Sequence, residues 1–192
     1  CPVSGQSGRY DRAPVFSSDV LRIAHSTLNE RSRDYTIGAW IYPTARYGLT
    51  QAIVSTARTN SNNGFSFGMT EGSLYLNLYG VNLFTANTNL QINRWTYVAV
   101  KVSATDVIFY ADGTEYYSAS GSYRNITLVP DRDDVLLVGA GTSIGSAALT
   151  DTFNGRLDDV AIYSRALTAG EVQAASLGQF NPDDGYLLPG AS

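Results

Sequence analysis

Phe153-Asn154-Gly155-Arg156-Leu157-Asp158-Asp159-Val160-Ala161-Ile162-Tyr163-Ser164-Arg165-Ala166-Leu167-Thr168-Ala169-Gly170-Glu171 is the stretch on which the reading of this chain turns. Residues 157–163 carry the branched and aromatic side chains that suit a pleated surface, and they read as a strand. The pattern then changes. Thr168-Ala169-Gly170-Glu171 fits a capping box, with Thr168 as N-cap and Glu171 at N3. Leu167 and Val172 fall at the staple positions, Ala174 and Ala175 extend the helix, and Gly178 stops it. A helix this short is unstable alone, so it must pack on the sheet before it.

Working outward, short strand candidates follow one another. In Tyr35-Thr36-Ile37-Gly38-Ala39-Trp40-Ile41-Tyr42, residues Tyr35, Ile37, Ala39 and Ile41 share one face while Trp40 and Tyr42 share the other. Pro43 ends that strand because it has no N–H for the ladder. Val20-Leu21-Arg22-Ile23 precedes it, and residues 52–56, 65–69, 74–78, 95–102, 107–111, 114–118 and 135–139 come after. Turn residues separate them: Asn60 to Gly64, Glu71-Gly72, Asn93-Arg94 and Asp112-Gly113. Asp112-Gly113 predicts a two-residue hairpin, since Asp tolerates and Gly prefers positive φ. The fold class expected is all-β: a two-sheet antiparallel jelly-roll sandwich with one short C-terminal helix. Residues 1–178 form the domain and 179–192 a tail; no internal repeat and no linker divides the chain.

Composition excludes several functions. The 192 residues carry 44% hydrophobic and 16% charged side chains, a net charge of −4 and a pI near 4.8. Lys101 is the only lysine and the arginines are scattered, which argues against nucleic acid and against an anionic membrane surface. No apolar run is long enough to span a bilayer, and no stretch reads as a signal peptide, so the expectation is a mature chain or an excised domain. Cys1 is the sole cysteine, so no internal disulfide forms. It is a domain-boundary residue, an intermolecular bridge or an acylated terminus, in that order of preference.

Several stretches together resemble the laminin-G-like module of the concanavalin A-like lectin/glucanase jelly rolls. Gly8-Arg9-Tyr10-Asp11-Arg12-Ala13-Pro14-Val15-Phe16 with Val20 to Ile23 looks like the entry segment. Asp34 to Pro43 is similar to the strand carrying Trp and closing on Pro. Arg94-Trp95-Thr96-Tyr97-Val98-Ala99-Val100 with Tyr110-Ala111-Asp112-Gly113 resembles the family's hairpin. The opening stretch, Phe153 to Glu171, resembles the final strand and its helix. The matching pieces run from about residue 8 to 175.

The resemblance implies a fold and a set of expectations. In relatives the acidic residue of the closing strand helps hold a structural Ca²⁺ against the N-terminal segment. Asp158 matches that position, Asp159 is its neighbour, and Asp19 or Asp11 could add a carboxylate. The alternative is that Asp158 and Asp159 are solvated or paired with Arg156, Arg12 or Arg22. The cluster Asp131-Arg132-Asp133-Asp134 lacks calcium-loop periodicity and reads as a solvated turn. The fold also houses glycoside hydrolases, which need two carboxylates at a set separation. Glu30, Glu71, Glu115 and Glu171 offer no such pair, Glu171 is committed to the cap, and His25 is the only histidine. The expectation is therefore a chain that is not an enzyme.

Sugar sites combine an aromatic face with hydrogen-bonding groups, because a pyranose offers both C–H patches and hydroxyls. Arg46 and Tyr47 in one loop, and Arg58, Asn60, Asn62 and Asn63 in another, supply such groups at sheet ends; Tyr123, Arg124 and Asn125 form a similar trio. For each loop the competing reading is surface packing and turn chemistry. The function expected is a non-catalytic binding module of a larger secreted or cell-surface protein, with an adhesive role and a glycan or a surface protein as partner. The alternative is an assembly unit of a fibre or repeat protein, joined through its termini. Cys1-Pro2-Val3 as a junction, and Gly185-Tyr186-Leu187-Leu188-Pro189 on a neighbour's sheet edge, motivate that alternative.

Overall fold

The computed structural model describes residues 3–9, 12–24, 34–45, 50–56, 64–78, 82–120, 135–143, 148–179 and 186–187. In chain order the strands are β1 (Val3–Ser7), β2 (Arg12–Ser17), β3 (Leu21–Ala24), β4 (Tyr35–Pro43), β5 (Thr50–Thr56), β6 (Phe65–Thr70), β7 (Ser73–Leu78) and β8 (Asn82–Ala86). They continue with β9 (Thr96–Val102), β10 (Asp106–Ala111), β11 (Thr114–Ser120), β12 (Val135–Val138), β13 (Gly141–Thr142), β14 (Leu149–Thr150), β15 (Asn154–Tyr163) and β16 (Tyr186–Leu187). Helix α1 (Ala169–Ser176) lies between β15 and β16.

Two antiparallel sheets form the sandwich. The larger runs β1-β2-β15-β4-β9-β10-β11, with β16 also on β15; the smaller runs β3-β12-β5-β6-β7-β8; β13 and β14 make a separate ribbon. The all-β expectation holds, and so does its decisive element: residues 158–163 lie within β15, central in the larger sheet, and run on into α1. The tail differs from expectation. Tyr186 and Leu187, read as a segment for a neighbour's edge, pair with Ile162 and Ala161 of the same chain. The chain thus covers with its own apolar tail part of a strand edge that would otherwise present unpaired backbone groups.

Local signals act as physics requires. Asp112 and Gly113 take φ of 48° and 76°, and Ala111 faces Thr114 across the hairpin. Thr168 accepts from the Glu171 N–H, and the Glu171 carboxylate accepts the Thr168 N–H at 2.7 Å. At the other end of α1, Gly178 N–H reaches the Ala175 carbonyl and Gln179 N–H the Ala174 carbonyl, closing the helix in a Schellman arrangement. The alternation read in β4 is also real. Tyr35, Ile37, Ala39 and Ile41 enter the inter-sheet core with Val98, Val100, Phe109, Phe67, Leu76 and Leu157, whereas Trp40 does not. The sequence does not announce β8, whose Leu83 is exposed and Phe84 buried, because it is a short edge strand with adjacent apolar residues on opposite faces.

Candidate functional site

The larger sheet turns one face to the core and the other outward, and the outward face is divided. Over one half, the connection after β15 folds back. Thr36 on β4 donates its hydroxyl to the Arg165 carbonyl and accepts the Leu167 N–H at 2.9 Å, which fixes the start of the helix over the sheet. Leu167 and Val172, the staple pair, then bury against Ala99, Ile108, Tyr110, Ala161 and Tyr163.

Toward the end of the helix the same cluster continues through Trp40 and Tyr97, with Trp95 partly buried against it, and register sets the side chains there in rows. Arg156 stands opposite Tyr42, Asp158 opposite Trp40, and Trp40 opposite Tyr97. Trp95, just before β9, adds to the first row: its ring lies 5.5 Å from that of Tyr42. The Arg156 guanidinium lies over both, 3.9 Å from the Tyr42 centroid and 5.5 Å from that of Trp95. In the second row Trp40 meets Tyr97 edge to face at 5.6 Å, and the Arg9 guanidinium lies over Trp40 at 4.7 Å. Gly38 makes the Tyr97 position possible, since a Cβ there would overlap its hydroxyl.

Above these rows lies an open cleft of about 460 Å³, within the range of small-ligand sites. Arg9, Trp40, Arg94, Trp95 and Asp112 line it, and Ser176 with Leu177 at the end of α1 complete the wall. Asp112 organises one rim. Its Oδ1 accepts the Tyr97 N–H at 3.0 Å and its Oδ2 accepts from Arg94 at 2.7 Å. Both partners of that ion pair are well exposed, 64% and 38%, so it contributes little to stability. Its effect is to hold Arg94 at the mouth of the cleft. Ring faces, guanidinium donors and a carboxylate acceptor within one concavity are groups that match a sugar's C–H patches and hydroxyls.

Asp158 and Asp159 sit at a bulge where β15 slips against β4. Asp158 is buried. Its Oδ2 accepts the Arg9 backbone N–H at 2.9 Å and its Oδ1 the Asp159 N–H at 3.1 Å, so the carboxylate itself ties the N-terminal segment to the closing strand. Asp159 takes a φ of 45°. Burial, and secondarily the charge of Asp158, raise its carboxyl to about 6. Burial, with Tyr163 and Asp159 close by, pushes the Tyr97 hydroxyl well above its ordinary range.

The structure brings Asp158 and Asp159 together but not Asp19. Ser17 pairs with Asn154, four residues along β15 from Asp158, and the chain leaves the sheet on that far side. Among the described residues no group of three or more His, Cys, Asp or Glu converges. A calcium ion takes six to eight oxygens, backbone carbonyls among them, and of the four carboxylates expected to hold it the described residues include Asp158, Asp159 and Asp19. Asp11, Arg46, Tyr47, Arg58, Asn60, Asn62 and Asn63 lie outside the described residues, as do Cys1, His25, Tyr123 to Asn125 and Asp131 to Asp134. The sequence reading missed the cleft itself. The signal available was the pairing of Trp40 with Tyr42 on the non-core face of one strand, which asks what covers them.

Comparisons with known proteins agree with the fold. The model of the family described as Concanavalin A-like lectin/glucanases superfamily (Laminin_G_3) matches residues 17–173. No curated protein matches the chain. Among solved structures, domain 4 of AbnA, a GH43 extracellular arabinanase from Geobacillus stearothermophilus in complex with arabinotriose, superposes with a TM-score of 0.68 at 17% identity. The match covers 92% of this chain and 81% of that one. A putative carbohydrate-binding protein from Bacteroides ovatus gives 0.70 at 18% identity, over 93% and 52%. The IT-sialidase CBM40 of Ruminococcus gnavus, bound to α2,3 sialyllactose, gives 0.63 at 14% identity, over 83% and 96%. At such identities the likeness is one of fold.

Proposed function

Because this chain belongs to the concanavalin A-like lectin/glucanase superfamily, we propose that it is a non-catalytic, extracellular carbohydrate-binding module, and that the cleft on the outer face of the larger sheet is its glycan site. One observation carries the assignment: Trp40 and Trp95 line the same concavity as Arg9, Arg94 and Asp112. The named neighbours add support, since the AbnA domain is in complex with arabinotriose and the CBM40 is bound to sialyllactose.

The non-catalytic part rests on the carboxylates. Asp112 is the only one lining the cleft among the described residues, and it is engaged by Arg94 and the Tyr97 N–H. Glycoside hydrolysis by a carboxylate pair needs a second carboxyl across the bond. Calcium has no part in the proposal, because Asp158 holds the N-terminal segment directly. A glycan array probed with the intact chain tests both points: binding is expected and is expected to survive EDTA. An array without hits overturns the glycan reading; hits abolished by EDTA overturn the metal-free one.

A further inference from the structure

Resting on the glycan reading above, we infer that the sugar this cleft selects carries an N-acetyl group, whose amide is read by the Arg94–Asp112 pair and whose methyl rests on Leu177. The corner that does this is set by the meeting of two elements. Gly113, in the turn between β10 and β11, sits against the last turn of α1: a Cβ there would lie 3.2 Å from the Ser176 hydroxyl oxygen and 3.4 Å from Gln173 Cγ. Asp112 precedes Gly113 and Leu177 follows Ser176. The contact therefore brings the carboxylate and the leucine to one end of the cleft, which both line together with Arg94 and Trp95.

The polar side of this corner has bonding capacity to spare. Asp112 accepts the Tyr97 N–H on Oδ1 and an Arg94 N–H on Oδ2, two of the roughly four positions that a carboxylate offers. Arg94 makes its bond with one of several guanidinium donors. Joined at 2.7 Å, the two charges offset each other, so the pair presents a donor and an acceptor side by side without calling for an ionised ligand. A secondary amide matches it: the carbonyl accepts from Arg94 and the N–H donates to Asp112. A hydroxyl also does both, and the leucine decides between them. Leu177 is 63% exposed and stands outside the cluster in which Leu167 and Val172 seat the helix, so helix packing does not account for it. It offers no hydrogen bond. A hydroxyl brought against it loses water without compensation, whereas a methyl gains by burial. An acetamido group carries the N–H, the carbonyl and the methyl together.

The test is an array of gluco- and galacto-configured oligosaccharides in matched sets that differ at one carbon only, bearing a hydroxyl, an N-formyl or an N-acetyl group, followed by calorimetry on the best set. The N-acetyl form is expected to bind at least about tenfold more tightly than the hydroxyl form. The N-formyl form keeps the amide and lacks the methyl, and is expected about threefold below N-acetyl. L177A should erase the difference between N-acetyl and N-formyl, a split between two ligands that a general loosening of the helix would not give. R94A should erase instead the preference for N-formyl over hydroxyl. Both side chains are exposed, so both variants should fold as the parent does, and matching melting temperatures check it. Equal affinity for the N-acetyl and hydroxyl forms, or a preference for N-acetyl that survives L177A combined with R94A, overturns this inference and leaves glycan binding standing. No binding to any form overturns both.

Discussion

The two halves of the larger sheet's outer face are built by the same strands and end differently. In the half under α1, Ala99 and Ala161 keep the surface low enough for Leu167 and Val172 to seat, and Tyr110 and Tyr163 fill in around them. In the open half the same strands place Trp40, Tyr42, Tyr97 and Arg156, with Trp95 beside them. Aromatic residues stand in both. One buried cluster runs through both, taking in Trp40 and Tyr97 with Leu167 and Val172; what separates them is the outermost layer, the capped helix over one and the Arg9 and Arg156 guanidinium groups with the cleft over the other. An aromatic on the non-core face of a strand therefore serves stability or recognition according to what the chain lays over it.

The sharpest way to break the comparison is to unseat the helix. Leu167→Ala is expected to cost about 3 kcal/mol in urea unfolding, as for a buried leucine losing its packing. A loss near zero would mean that the helix does not hold its half. Next in size is Asp159, at the bulge between the halves. Burial, with Asp158 second, raises its carboxyl from 3.8 to about 6, so the folded state binds the proton more tightly than the unfolded chain. The stability it supports is full below about pH 4 and is lost as pH rises through about 6. Asp159→Asn should abolish that loss and leave the variant about 2 kcal/mol more stable than the parent at pH 8. Asn also tolerates the positive φ of that position. Denaturation at pH 4 and pH 8 checks this, and parallel pH profiles would contradict it.

On the open half the balance should reverse. Trp95→Ala is expected to weaken glycan binding by about tenfold, near 1.4 kcal/mol, while changing stability by less than Leu167→Ala does. Calorimetry beside urea unfolding separates the two effects. The smallest change concerns the cap that starts the helix. Thr168→Ala removes the partner of the Glu171 N–H and should cost about 1 kcal/mol. Arg165, foremost, and the Thr168 N–H hold the Glu171 carboxyl down near 2. The folded-state pKa is depressed, so this contribution is present above about pH 4.5 and fades as pH falls toward 2. The group is largely exposed, so the acid limb should be shallow.

Much of the fold was legible because its signals are local. Asp112-Gly113 carries its turn in two residues, Thr168 to Glu171 carries its cap in four, and Tyr35 to Ile41 displays its core face by alternation. The candidate site was legible only in fragments. Arg9, Trp40, Arg94, Trp95, Asp112 and Leu177 come from distant parts of the chain, and they meet because β15, β4, β9 and β10 are neighbours in the larger sheet. Strand order is not written in any one strand. Trp40 and Trp95 were readable as strand residues and family marks, but the cover above them depends on where the N-terminal segment and α1 come to rest. The attachment of Tyr186 and Leu187 to β15 is of the same kind: their apolarity announced a sheet edge without saying whose.

The chain has two tryptophans, and both line the cleft, so intrinsic fluorescence reports on this surface and on no other. A titration with any glycan that calorimetry shows to bind should shift or quench tryptophan emission in saturable fashion, with the same dissociation constant. Binding seen by calorimetry with the emission unchanged throughout would place the glycan elsewhere on the molecule and contradict the assignment of this cleft.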